Sequence, residues 1–161
     1  MSSSFRGKDT AVLTPGAFSV VLDSELKRAA RSQNYLTLIT LEASREWQGM
    51  TVPVDRGIAQ EVAKIVGHEI RDTDVIGQTD DGVLSLVLID TDLDHSASVV
   101  DRVLSTMTNH GLPPALRITV GAACCPTNAV DARSLKREAL SHPIASWHAR
   151  STGGSTPSSS N

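Results

Sequence analysis

Apolar residues recur at intervals of three and four in several segments of the chain, which is the spacing of one face of an amphipathic helix. The pattern predicts helices over about 16–32, over about 54–71 and around 99–107. A fourth helix is predicted over about 131–140, because its first residue is an aspartate, a favourable N-cap. Pro143 is expected to end the regular part of this last helix.

Short runs of β-branched and apolar residues alternate with these helices and predict strands. They cover 35–41, 75–78, 83–89 and 116–125. The stretch 43–53 contains a glycine and a proline, and it predicts a loop.

The sequence Asp80-Asp81-Gly82 lies between two of the predicted strands. An Asp-Gly pair between apolar runs is a strong signal for a β-hairpin, because glycine readily adopts a positive φ. The order of elements after the leading helix is then β-α-β-β-α-β, followed by a helix. This order predicts an α+β domain of the ferredoxin-like class, with an antiparallel sheet and helices on one face.

The length of 161 residues suits one domain with its own core. We expect this domain to span 13–149, after a flexible N-terminus over 1–12. The Ser-, Gly- and Thr-rich tail over 150–161 is expected to be disordered.

Composition and charge narrow the possible functions. The net charge of −3 and an aromatic content of 3% argue against nucleic-acid binding. No apolar run reaches the length of a membrane span, and the polar start does not resemble a signal peptide. Cys124 and Cys125 are adjacent in an apolar run, which predicts reduced thiols, at least one of them buried. These features favour a cytoplasmic protein, and no motif in the sequence implies a cofactor or a metal.

Several fragments resemble the conserved segments of GGDEF domains, the domains of diguanylate cyclases. The similarity covers most of residues 9–140, and it includes Leu41-Glu42-Ala43-Ser44 at the end of the first strand and Ile118-Thr119-Val120-Gly121-Ala122-Ala123 in a later one. The resemblance implies the cyclase-like form of the ferredoxin-like fold.

The catalytic turn of that family departs from its pattern here. The turn that should read Gly-Gly-Asp/Glu-Glu-Phe reads Asp80-Asp81-Gly82-Val83-Leu84. In the family, the first-strand aspartate and carboxylates of the turn hold two Mg²⁺ ions. Glu42 matches the first of these ligands, whereas Gly82 and Val83 stand where the acids of the turn belong. The resemblance therefore implies a degenerate domain without cyclase activity, catalytic residues or a metal site.

A second site of the family is retained in sequence. Arg71 and Asp74 match the Arg-x-x-Asp pair of the inhibitory cyclic di-GMP site, five residues before the turn, and Arg102 matches the arginine on the following helix. The resemblance implies that the arginines bind guanine while the carboxylate binds its Watson–Crick edge. The residues alone also allow a simpler interpretation, in which Arg71 complements a helix dipole and Asp74 favours a turn.

Three hypotheses follow. The first is a catalytically inactive receptor or regulatory module for cyclic di-GMP, acting on a protein partner or as a homodimer. The second is an interaction scaffold of the same fold that binds no ligand. The third is a nucleotide-handling enzyme that uses Glu42 with Asp81.

Overall fold

The computed structural model describes residues 12–79 and 82–149. It contains four helices, α1 (Pro15–Ser32), α2 (Arg56–Glu69), α3 (Leu93–Thr108) and α4 (Ala132–Ser141). It contains six strands, β1 (Leu36–Trp47), β2 (Met50–Pro53), β3 (Val75–Gln78), β4 (Leu84–Ile89), β5 (Leu116–Cys125) and β6 (Pro143–His148). The expected flexible N-terminus and disordered tail, and Asp80 and Asp81 of the turn, lie outside the described residues.

Side-chain caps fix where the helices begin. Asp55, Asp92 and Asp131 are the N-caps of α2, α3 and α4, and each accepts a hydrogen bond from a backbone N–H three residues later. Thr14 caps α1 in the same way and is followed by a proline at the first helical position. The caps satisfy N–H groups that have no partner within the helix, and the proline has no N–H group that would need one.

The strands form one antiparallel sheet in the order β3-β4-β1-β5-β6, with β2 paired to β1. The long central strand β1 pairs with β4 through its first half and with β2 through its second half, while β5 lies along its other side. The predicted β-α-β-β-α-β core and its antiparallel sheet are confirmed.

Helices cover both faces of the sheet, which corrects the expectation of helices on one face. One core lies between the sheet and helices α2 and α3, and it includes Val66, Val103 and Ile118. A second core lies between the opposite face and helices α1 and α4, and it includes Phe18 and Leu135. The near-continuous apolar run of β4 agrees with this arrangement, because a strand that is buried on both faces does not alternate.

The two-sided burial also explains the cysteines. Adjacent residues of a strand point to opposite faces, yet Cys124 and Cys125 are both buried, and both are free thiols. Burial raises the pKa of the Cys125 thiol above its ordinary value, and the neighbouring Cys124 adds to the effect. The prediction of reduced cysteines with at least one buried is confirmed.

Two elements differ from the predicted ones. The stretch 43–53 forms a β-hairpin rather than a loop, because Gln48 and Gly49 both adopt positive φ and make a two-residue turn between β1 and β2. Pro143 lies after the end of α4, and it is also the first residue of the edge strand β6. A proline is tolerated there because the first residue of an edge strand need not donate to the ladder.

The predicted hairpin between β3 and β4 is present. Its strands pair antiparallel, and Thr79 N–H donates to the Val83 carbonyl at 3.0 Å. Gly82 has a φ of 78°, as the Asp-Gly signal predicts. Val83 is buried and Leu84 is half-buried. Among the helices described, none is long and apolar enough to cross a membrane.

Candidate functional site

Arg71 lies in the loop between α2 and β3, and its guanidinium group is held by three partners. Its Nε is 3.5 Å from Asp74 Oδ2, at the outer limit of a hydrogen bond. Its Nη2 donates to the carbonyl oxygen of Ile89 at 2.7 Å and to the hydroxyl of Thr91 at 3.0 Å. The start of β3 and the end of β4 therefore fix the direction of this side chain.

Asp74 is buried beneath that arginine. Its Oδ1 accepts from the Ile89 N–H at 3.0 Å, and its Oδ2 accepts from the Arg71 backbone N–H at 3.1 Å. The side chain is only 3% exposed. Both carboxylate oxygens therefore have hydrogen-bond partners within the protein. Asp74 contributes to the surface by orienting Arg71.

Arg102 reaches from α3 to the last turn of α2. Its Nη2 donates to the carbonyl oxygen of Glu69 at 2.7 Å, and its Nε lies 3.4 Å from Glu69 Oε1. The other carboxylate oxygen of Glu69 accepts from the Thr106 hydroxyl at 2.9 Å. A carbonyl and a carboxylate of one residue thus anchor the second guanidinium group.

The two anchored arginines share the C-terminal end of α2. Glu69, which holds Arg102, lies two positions before Arg71 in the sequence. The side chain of Arg102 is 53% exposed and that of Arg71 is 61% exposed. Within residues 12–79 and 82–149, neither Nη1 group has a hydrogen-bond partner. Each arginine therefore presents free donors and more than half of its side-chain surface to solvent.

The sequence did not indicate the residues that hold these arginines. Glu69, Thr91 and Thr106 were not among the expected site residues, although each contacts one of the guanidinium groups or its anchor. Their partners are separated from them in sequence or lie on another element, so no local spacing pattern reveals them.

A cavity of about 370 Å³ lies at the other end of β4, beside the turn that would be catalytic in a cyclase. Leu41 and Ala43 of β1 line it, together with Gly82 and Leu84. Glu42 stands between the first two in the strand and is exposed, so strand alternation directs it to the opposite face. The described residues that line the cavity include no carboxylate.

The described part of the chain also lacks a cluster of metal-binding side chains. No group of three or more His, Cys, Asp or Glu side chains there is arranged to hold a metal ion. Mg²⁺ bound to a triphosphate prefers a near-octahedral set of oxygens, and a single exposed Glu42 supplies one at most. Asp80 and Asp81 are outside the described residues.

Comparison with solved structures identifies the fold. The chain is similar to a DGC protein from Thermotoga maritima, with a TM-score of 0.68 at 15% identity over 85% of this chain and 99% of that one. It is also similar to the active GGEEF domain of a diguanylate cyclase from Vibrio cholerae, with a TM-score of 0.66 at 12% identity over 81% of this chain and 88% of that one.

A third similar structure contains bound cyclic di-GMP. It is the coiled coil and GGDEF domain of DgcB from Caulobacter crescentus in complex with c-di-GMP, with a TM-score of 0.65 at 12% identity over 86% of this chain and 80% of that one. No family model matches the chain, and no curated protein matches it. The six-stranded antiparallel sheet with four helices is the fold of GGDEF diguanylate cyclase domains.

Proposed function

We propose that the protein is a catalytically inactive GGDEF-like domain that binds cyclic di-GMP through Arg71 and Arg102, with Asp74 holding Arg71 in position. The observation that carries the proposal is the pair of anchored and half-exposed guanidinium groups at the end of α2. The c-di-GMP complex of the similarly folded DgcB domain supports the choice of ligand.

The chemistry of the arginines suits a guanine base. A guanidinium group donates to guanine O6 and N7, and its flat face stacks on a purine. Anchoring reduces the side-chain entropy that is lost on binding, because each arginine is already held in one direction. Asp74 contributes by holding Arg71 through its buried carboxylate.

The proposed absence of cyclase activity rests on the other end of the domain. The described lining of the cavity beside the turn is mostly apolar, and it contains none of the carboxylates that would hold two Mg²⁺ ions. The sequence of the turn supports the same proposal, because Gly82 and Val83 stand where the family has acidic residues.

Titration calorimetry with cyclic di-GMP tests the proposal. We expect saturable heat with the wild-type protein, and Arg71→Ala should weaken binding by about 5- to 150-fold, because a bidentate arginine–guanine contact contributes about 1–3 kcal/mol. Arg31→Ala is the matched control, since Arg31 is an exposed arginine near the end of α1. Equal affinities of the two variants would contradict the assignment of the site.

One observation favours a second candidate, an interaction scaffold that binds no ligand. Both oxygens of Asp74 and part of each guanidinium group already have partners within the protein. A purely structural role would leave the same contacts. The absence of heat with wild-type protein at high micromolar cyclic di-GMP would establish this second candidate over the first.

A further inference from the structure

The cavity beside the β3–β4 turn has a composition that nucleotide chemistry does not explain. Its volume of about 370 Å³ is within the range of small-molecule pockets. The walls are mostly apolar, and they include Leu13, Leu41, Val54, Ala59, Val62 and Leu84. Covering such a surface with an apolar group removes it from water, which lowers the free energy of the system.

The polar side chains of the cavity are few, and apart from Thr14, whose hydroxyl caps α1, they lack partners among the described residues. Arg56, Gln60 and Gln78 line it, and none of their side chains makes a hydrogen bond or an ion pair with the residues described. Arg56 is the first residue of α2, so its guanidinium group adds to the positive end of the helix dipole. The neighbouring Asp55 uses its carboxylate oxygen to cap Ile58 N–H at 2.9 Å.

We propose that this cavity binds a small molecule with an apolar body and a single anionic group. The apolar walls would cover the body, and Arg56 would bind the anion at the mouth of the cavity, with the two glutamine amides as further hydrogen-bond partners. The charge pattern selects an anion, because the described lining contains one cation and no carboxylate.

This site does not depend on the proposed cyclic di-GMP site. Leu84 lines the cavity and Ile89 contacts the arginine cluster, and five residue steps along β4 separate them by roughly 16 Å. A substitution in one site should therefore leave ligand binding at the other site unchanged.

Octanoate is a suitable probe, because it combines a short apolar chain with one carboxylate. We expect octanoate to shift the NMR methyl signals of Leu41, Val54 and Leu84 in a saturable way. Arg56→Gln should weaken octanoate binding roughly tenfold, since it removes a charge-assisted hydrogen bond at an exposed position. The same variant should leave the weaker binding of neutral octanol unchanged.

Lys64→Gln is the matched control, because it removes one exposed positive charge from the same helix without lining the cavity. Ala59→Leu fills the cavity and should abolish binding of both probes while the circular dichroism spectrum is preserved. The proposal is overturned if octanoate causes no saturable shift, if octanol binds as tightly as octanoate, or if Arg56→Gln and Lys64→Gln have the same effect.

Discussion

Asp74 Oδ1 accepts a hydrogen bond of 3.0 Å from the backbone N–H of Ile89, which ties the loop after α2 to the end of β4. The pair is part-buried and joins residues 15 positions apart. The same carboxylate holds Arg71. One buried side chain thus links the structure of the sheet edge to the orientation of the proposed binding arginine.

Replacement of Asp74 by alanine should reduce stability as well as binding. The Ile89 N–H would lose its partner in a part-buried setting, which costs about 1–3 kcal/mol. Denaturant unfolding measures this loss. Asp72→Ala is the control, because Asp72 is an exposed aspartate of the same loop, and we expect it to change stability by less than about 0.5 kcal/mol. Equal stabilities of the two variants would show that the hydrogen bond to Ile89 is not a structural contact.

Gly121 marks a close approach between β5 and α4. A Cβ at this position would collide with the backbone carbonyl of Ala139, so the helix would have to move. We expect Gly121→Ala to destabilise the protein by about 1–3 kcal/mol, the usual cost of overpacking.

Gly16 provides the comparison for that substitution. It lies in the first turn of α1, and a Cβ there would meet no atom within 4 Å. Gly16→Ala should be neutral or stabilising by up to about 1 kcal/mol, because alanine favours the helix. Thermal melts of both variants check the contrast, and a stable Gly121→Ala variant would mean that α4 does not pack this closely on β5.

The cap of α4 should make stability depend on pH in the acid range. Hydrogen bonds from the backbone N–H and hydroxyl of Ser134 hold the pKa of Asp131 below its ordinary value of 3.8. A lowered folded-state pKa contributes stability above the unfolded-state pKa, and this contribution is lost as the pH falls through the folded-state pKa.

Asp131→Ala should therefore lower the melting temperature at about pH 7 and have a smaller effect at about pH 3. Melting curves of the wild-type protein and the variant at both pH values measure the difference. A difference that stays constant, or grows as the pH falls, would contradict the role of the charged cap.

Incubation with GTP and Mg²⁺ should yield no cyclic di-GMP. The described residues supply no group of three metal-binding side chains, and Glu42 faces away from the cavity. Chromatography of the reaction mixture detects the product. Formation of cyclic di-GMP that Glu42→Gln abolishes would instead support the nucleotide-handling hypothesis based on Glu42 and Asp81.

Local patterns predicted the elements that depend on local chemistry. The Asp-Gly signal gave the β3–β4 hairpin, and Asp131 marked the start of α4. The β1–β2 hairpin was not predicted because its arms, the second half of β1 and the short strand β2, are largely exposed and lack a long apolar run, so Gly49 suggested a loop where it in fact forms a tight turn. The near-continuous apolar run of β4 is typical of a strand that is buried on both faces, so it indicates helices on both sides of the sheet.

The contacts of the candidate site are likewise of two kinds, local ones that the sequence predicts and long-range ones that it does not. Arg71 and Asp74 are three residues apart, so their proximity can be predicted from sequence. The contact between Arg102 and Glu69 joins two helices across 33 residues, and Thr91 reaches Arg71 across 20. Such contacts are set by the packing of α2, α3 and β4, which no spacing in a single sequence specifies.

The most direct test is an NMR titration of the wild-type protein with cyclic di-GMP, in which the Nε–H signals of the arginines are followed. We expect saturable shifts of Arg71 and Arg102 at the end of α2, together with unchanged methyl signals of Leu41 and Leu84 at the distant cavity. Shifts confined to the cavity, or no shift of either arginine at saturating ligand, would contradict the proposed receptor site.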